Sequence, residues 1–156
     1  MPWDVGRALL QIEESVHYNL NNTESEGEWL AMDMTGRGTI RFDEDQHVVL
    51  TPFYHQLHCV HSLRDALLNK PGLTLGHVQH CANYLRQGAL CRADLTLEPG
   101  DFAEKDFEWD RKGALHVCRD WSQLYAEYER NWKQWVAFWL ENHIERSADI
   151  FLFLEI

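Results

Sequence analysis

Two short stretches of the chain concentrate metal-binding chemistry. His55, His58 and Cys59 spell an HxxHC pattern, and His77, His80 and Cys81 repeat it 22 residues later. Aligning residues 55–68 on 77–90 matches six of fourteen positions, adding Leu63 with Leu85, Arg64 with Arg86 and Leu68 with Leu90. On a helix, residues three and four apart share a face. At about 100° per residue, His55, His58 and Cys59 fall within one sector of roughly 100°, and the second trio does the same. Ser62 and Ala66 continue the first stripe, while Tyr84, Gly88 and Cys91 continue the second. Small residues beneath a ligand cluster permit close helix contact or leave space for a substrate. Helical phase alone puts Tyr84 beside the histidines, which makes it the candidate catalytic neighbour.

Imidazole suits copper, zinc, iron and nickel. Four histidines from two helices can hold one metal ion or a close pair. No carboxylate falls in either sector, which argues against a two-histidine, one-carboxylate iron centre and against a di-iron carboxylate site. Four Cys and His ligands would make a closed structural zinc site. The spacing, however, is not the CxxC half-site of zinc fingers, and an excess of imidazole leaves room for redox copper. His116, two residues before Cys118 in an expected loop, is either a further ligand or a core or capping residue. Cys59, Cys81, Cys91 and Cys118 are thiols or ligands in a reducing compartment, and in an oxidising one they can pair in three ways. His61 lies about 60° outside the first sector and reads as an outer or surface group. His17, His47 and His143 have no partner in sequence and read as structural or solvated. Arg64 and Arg86 read as anchors pairing with Asp94 or Asp120, with a substrate carboxylate as the alternative.

These residues need two helices to present them. The expected fold is mainly α: a single compact helical domain over residues 1–156, with a short β-hairpin or irregular segment before the motif helices. Residues 3–20 carry Val5, Leu9, Ile12, Val16 and Leu20 at helical spacing, with polar turn formers over 19–27 to end a helix. Residues 39–42 and 47–50 suit short strands around Asp43, Glu44 and Asp45. Thr51 and Pro52 suit the start of the first motif helix, over about 53–69. The second runs over about 77–90 and gives way to a loop closed by Pro99 and Gly100. Residues 101–115 are acidic and irregular, with Phe102, Phe107 and Trp109 as anchors. A long helix over about 119–146 follows. Its stripe of Trp121, Leu124, Tyr125, Tyr128, Trp132, Trp135, Phe138 and Trp139 reads as core, with a substrate wall or docking face as the alternative.

Helix length restrains the shared site. Each motif sits at the start of its helix, and fourteen residues span about 21 Å. A tight hairpin would therefore hold the motifs at opposite ends. The eight residues 69–76 can reach roughly 26 Å, so the expectation is that this segment doubles back and brings the two motifs together.

Composition excludes some partners. Lys and Arg total 14 against 25 Asp and Glu, a formal charge of −11. Nucleic acid binding needs clustered cations, and anionic lipid is disfavoured for the same reason. No run of 18 apolar residues and no secretory signal is present in the 156 residues.

The blocks HQLHC (55–59) with Leu63 and Arg64, HVQHCANYLRQ (77–87), CRADLTLE (91–98) and HVCRDW (116–121) together resemble the UstYa-like proteins of fungal secondary metabolism. They cover roughly residues 50–125, and Pro2, Trp3 and Asp4 resemble the start of that family's soluble part. The doubled HxxHC is the family's defining motif. The resemblance implies copper-dependent oxidative tailoring of a peptide or small-molecule substrate: dehydrogenation or cyclisation, hydroxylation or chlorination. O2 or peroxide would be the oxidant, and hydrogen would leave a C–H, N–H or O–H bond. It implies His55, His58, His77 and His80 as metal ligands. It also implies a secretory-pathway lumen, since members typically carry an N-terminal transmembrane helix, which these residues do not contain. In such a lumen Cys59–Cys81 and Cys91–Cys118 disulfides would leave an all-nitrogen copper site. The rival readings are a non-catalytic, zinc-stabilised binding module and a pathway interaction protein. In the second, the Trp-rich C-terminal helix would be the docking face, for a homo-oligomer or a pathway partner.

Overall fold

The computed structural model describes residues 5–101, 103–106 and 109–142. The chain runs β1 (Arg7–Glu13), α1 (Thr23–Leu30), a 3-10 turn (Thr35–Gly38), β2 (Thr39–Phe42), β3 (His47–Leu50), α2 (Pro52–Leu67), α3 (Leu75–Cys91), β4 (Lys112–Arg119) and α4 (Ser122–Glu141). It is mostly helical, with two small two-stranded sheets. Among the described residues no helix is long and apolar enough to cross a membrane.

Local chemistry explains most boundaries. Thr51 accepts the Tyr54 amide and Pro52 opens α2, because proline lacks the amide hydrogen that the first helical turn leaves unbonded. Thr74 caps α3 by accepting the His77 amide at 3.2 Å. Asn22 and Ser25 form a reciprocal capping box on α1. The Asp120 carboxylate accepts the Ser122 amide at 3.1 Å and starts α4. β2 and β3 pair antiparallel from Thr39 with Leu50 to Phe42 with His47, the hairpin expected there.

The helix expected over residues 3–20 does not form. Residues 7–13 are instead a strand, antiparallel to β4 with Arg7 opposite Arg119, Leu9 opposite Val117 and Leu10 opposite His116. The partner lies about a hundred residues away, beyond any local window. Its pairing overrides a helical spacing that was real but weak. For the same reason His116 lies within a strand, not a loop. Helix α1 falls on the segment read as polar turn, where its cap residues mimic a loop composition. The C-terminal helix begins at Ser122, with Glu141 as its last residue. The expected continuation past 142 lies outside the described residues, as do Phe102, Phe107 and His143. Trp109 is largely exposed, not buried as an anchor would be.

The core gathers Met34, Ile40, Tyr54 and Tyr128, with Phe53, Leu57, Leu124 and Tyr125 packed around them. Tyr128 is wholly buried, and Trp135 nearly so. The α4 stripe is therefore core over most of its length, with Trp121 at its exposed edge. The Asn131 side chain accepts the Arg41 amide at 2.8 Å and donates to the Arg41 carbonyl at 2.9 Å, acting as an extra strand partner for β2. The Thr51 hydroxyl is hydrogen-bonded to the Tyr128 phenol, so the cap of α2 is tied to α4. Gly36 and Gly38 carry φ of 65° and 64°. They let the 3-10 turn pass against the rings of Trp132 and Tyr54.

Candidate metal centre

Helix α2 is braced from behind. Arg64 lies about 180° around the helix from His55 and is almost fully buried. Its Nε donates to the Leu20 carbonyl at 3.0 Å and its guanidinium to Glu26 at 2.7 Å. It also sits over the Trp29 ring, 5.2 Å from its centroid. Lys70 adds a second cation on Glu26 at 3.0 Å. These two hydrogen-bonded cations, Arg64 first, hold the Glu26 carboxyl at a pKa of about 2. The expected partners of Arg64, Asp94 and Asp120, are thus replaced by Glu26 and Asp65. Arg86, its counterpart in the repeat, is exposed and reaches only to Asn83, at 3.0 and 3.2 Å. Asp94 pairs with His116 and Asp120 with Ser122 and Gln123, so neither arginine meets them.

The front of α2 meets α3, and the segment between them does double back. From His58 to the end of α2 is roughly 13 Å of helix, yet the rings of His58 and His77 stack at 5.5 Å. The order of contacts is reversed along the two helices. His58 meets His77, His55 meets His80 and then Tyr84, and Gln56 fills the space beside Gly88, where a Cβ would lie 2.3 Å from its amide nitrogen. Both HxxHC motifs therefore contribute to one cluster. The Nε2 atoms of His55 and His80 are 3.2 Å apart. Cys59 joins them, with the three ligand atoms all within 4.8 Å of one another. Cys59 and Cys81 are both fully buried and hydrogen-bonded to each other, and all four cysteines are free thiols.

The electrostatics favour the neutral forms of His55, His58 and Cys59. Burial, then the charges of His80 and His77, push the His55 pKa down. Burial, then His77 and His55, push His58 down, with Asp33 opposing. Burial and the adjacent Cys81 thiol push Cys59 up to about 12. Unprotonated imidazole is the form that binds a metal, so the site is set for a cation. His55 and His77 are half-buried, while His58 and His80 are exposed, so the cage is open on one side.

The donor set fits a nitrogen-bound metal. Two ligands each about 2.0–2.1 Å from one ion at a tetrahedral angle lie roughly 3.3 Å apart, which the 3.2 Å between His55 and His80 matches. Tyr84 is where helical phase puts it, its ring 4.0 Å from that of His55 and 6.0 Å from that of His80. His61 lies off the cluster, against Trp29 and 3.9 Å from Asp65.

His116 takes other partners. Its Nδ1 donates to Asp94 at 2.6 Å, and Nε2 lies 3.4 Å from Glu98. Glu98 also accepts the Ala114 amide at 3.0 Å. The Asp94 hydrogen bond raises the His116 pKa, and the Thr96 and His116 contacts lower that of Asp94. The segment after α3 is therefore clamped onto β4 by an imidazole between two carboxylates. The alternation of Asp94, Thr96 and Glu98 with exposed Leu95 and Leu97 is the period-two signal that could have revealed it.

No solved structure matches the chain. The chain is 28% identical over 138 residues to the oxidase ustYa of Aspergillus flavus, covering 74% of this chain and 64% of that protein. It is 30% identical over 97 residues to the chlorinase cctP2 of Talaromyces islandicus, covering 56% and 29% respectively. It is also 30% identical over 93 residues to the hydroxylase cctR of the same fungus, covering 53% and 33%. The chain thus spans less than two thirds of each of these relatives. The family model described as "Mycotoxin biosynthesis protein UstYa" matches residues 7–135, which contain both HxxHC motifs and Tyr84, and the chain belongs to that family.

Proposed function

We propose that this chain is a copper-dependent oxidative tailoring domain of fungal secondary metabolism, acting on a peptide or small molecule. The observation that carries the reading is the pairing of His55 with His80. Two imidazoles from different helices place their Nε2 atoms 3.2 Å apart, at the mouth of a cage whose outer histidines face solvent. The relatives named for oxidase, chlorinase and hydroxylase activities support an oxidative outcome.

In this reading His55, His58, His77 and His80 hold the metal. Imidazole-rich donors favour copper among the available divalent ions. Bound copper would supply one-electron redox chemistry towards O2 or peroxide. Tyr84 packs against His55 with its ring centroid 4.0 Å away and 36° between the planes, and would steady that imidazole. Burial favours the protonated form of the Cys59 thiol. The open side favours a catalytic site over a closed structural zinc site, which would need four protein ligands and no free position.

The test is aerobic incubation of the copper-loaded protein with the peptides and small molecules made by its neighbouring biosynthetic genes. Mass spectrometry would follow loss of two hydrogens, gain of oxygen or exchange of hydrogen for chlorine. Turnover that vanishes in His58→Ala and in His80→Ala supports the assignment. Retained turnover in both variants, or tight zinc with no copper-dependent oxidation, overturns it.

A further inference from the structure

The sequence repeat becomes a local two-fold axis in three dimensions. Adding 22 to a residue of α2, and subtracting 22 from one of α3, exchanges the contacts of the cage in pairs. His55–His80 and His58–His77 are exchanged, with ring centroids 5.2 and 5.5 Å apart and the same 28° between planes. His55–His58 and His77–His80 are exchanged, at 6.3 and 6.4 Å and 32° each. Cys59 and Cys81, both wholly buried, change places with each other. Exposure follows the same rule: His55 and His77 are half-buried, and His58 and His80 are exposed.

These distances bear on how many ions the cage holds. A nitrogen bond of about 2.0–2.1 Å puts the centroid of a ligating imidazole roughly 3.2 Å from the metal. Two rings on one ion at a tetrahedral angle are then about 5.2 Å apart, and at a linear angle about 6.4 Å. The two cross-helix pairs, at 5.2 and 5.5 Å, each match two rings on one ion. The two same-helix pairs, at 6.3 and 6.4 Å, match one ion only at the linear limit. Linear same-helix pairs about one centre, with tetrahedral spacing across the helices, would force His55 onto His77 and His58 onto His80 at only about 70°, far tighter than four ligands take around one ion.

We infer that the cage is a two-ion site, with one ion on His55 and His80 and a second on His58 and His77. This rests on the metal reading above and deepens it. The axis is not perfect, and its breaks at the cage rank the two positions. One turn beyond His80 stands Tyr84, packed on His55; the equivalent residue one turn beyond His58 is Ser62, its hydroxyl 3.5 Å from His58 Nε2. Cys59 closes on the first pair to within 4.8 Å, whereas the related trio His58, His77 and Cys81 is less tightly drawn together. The His55–His80 position fills first, and the His58–His77 position is the weaker of the two.

The experiment is a copper(II) titration of the metal-stripped protein, read by native mass spectrometry and by electron paramagnetic resonance. The expected result is two ions at saturation. The first gives an isolated-ion spectrum, and the second brings dipolar broadening, since the two pairs lie only about one helical turn apart. The paired variants H55Q/H80Q and H58Q/H77Q should each bind one ion with no broadening, and the first should bind it more weakly. Saturation of the unaltered protein at one ion, or loss of all binding in either paired variant, overturns the two-ion site while leaving a metal site in place. No binding by the unaltered protein would overturn the metal reading itself. The stoichiometry of the unaltered protein decides the matter even if a paired variant fails to fold.

Discussion

Replacement of Gly38 by alanine tests how the fold holds the first ligand helix. Gly38 has φ of 64°, a left-handed conformation that costs an L-residue about 1–2 kcal/mol. A Cβ at this position would lie 1.9 Å from Tyr54 Cγ and 2.3 Å from both Cδ atoms. That contact is with the body of a ring, not a flexible tip, and the ring is only 8% exposed. Forcing a methyl into such a core costs a further 1–3 kcal/mol or so. Gly38→Ala should therefore destabilise the protein by about 2–5 kcal/mol in urea denaturation. In a Tyr54→Ala background the clash is gone and only the backbone cost, about 1–2 kcal/mol, should remain. The two backgrounds thus differ by a coupling energy of roughly 1–3 kcal/mol. Tyr54 immediately precedes His55 in the first turn of α2, so Gly38→Ala should also weaken copper binding. A cost below about 1 kcal/mol, or an equal cost in both backgrounds, would refute the role given to the Tyr54 ring.

Three further outcomes follow from the same contacts. Arg64→Met removes charge-assisted hydrogen bonds worth about 1.5–3 kcal/mol, while Arg86→Met, on an exposed side chain, should stay within roughly 0.5 kcal/mol; similar melting-temperature shifts for the two would show that α1 does not brace α2. The His116 clamp has a defined pH window. A raised His116 pKa contributes below its ordinary 6.5 and is lost as pH rises through the raised value; a lowered Asp94 pKa contributes above its ordinary 3.8 and is lost as pH falls through the lowered one. Protection of the Ala114 amide, which donates to Glu98, should therefore be greatest between those ordinary values and fall on the alkaline side. Protection that stays flat as pH rises above that range, in hydrogen exchange corrected for intrinsic rate, would remove the clamp. Tyr84→Ala should weaken copper binding about 2- to 12-fold through loss of the ring contact with His55, while Tyr84→Phe, which keeps the ring, should leave it unchanged; equal weakening by both would move the effect from the ring to the phenol.

Legibility in the sequence followed the range of the interactions. The motif helices, the Thr51 cap and the hairpin were readable because the signals lie within a few residues: Thr51 with Pro52, and the turn over Asp43, Glu44 and Asp45. The site was readable because a repeat carries non-local information. Once two helices bear the same pattern, length alone limits how they can meet, and residues 69–76 take the one path that lets them share a cluster. Strand β1 was hidden because its evidence lies in β4. Leu9, Ile12 and Val16 stand at helical spacing, but Leu9 and Val16 remain largely exposed, and what holds the segment is backbone pairing to residues 112–119. Helix α1 was hidden because a capping box uses the same Asn and Ser that mark a turn.

The repeat also misleads in one respect, and the exception clarifies how the cage is held. Identical residues at 64 and 86 invite identical roles. Arg64 is sealed beneath α1 and Trp29, whereas Arg86 lies in solvent on a helix whose only buried residue is Cys81. Helix α2 is thus fixed on both faces: by α1 behind, by the tyrosines of the core at its start and by α3 in front. Helix α3 depends on α2, on its threonine cap and on the clamped segment that follows it. The four histidines are divided evenly between an anchored helix and one held mainly through the cluster itself. An ion bound across the two helices binds the assembled form and not the separated one, so it adds to the stability of their contact by mass action. Metal capture and the docking of α3 would therefore be one equilibrium. The contacts of Gln56 with Gly88 and of Cys59 with Cys81 set how much of the helix contact exists before an ion arrives.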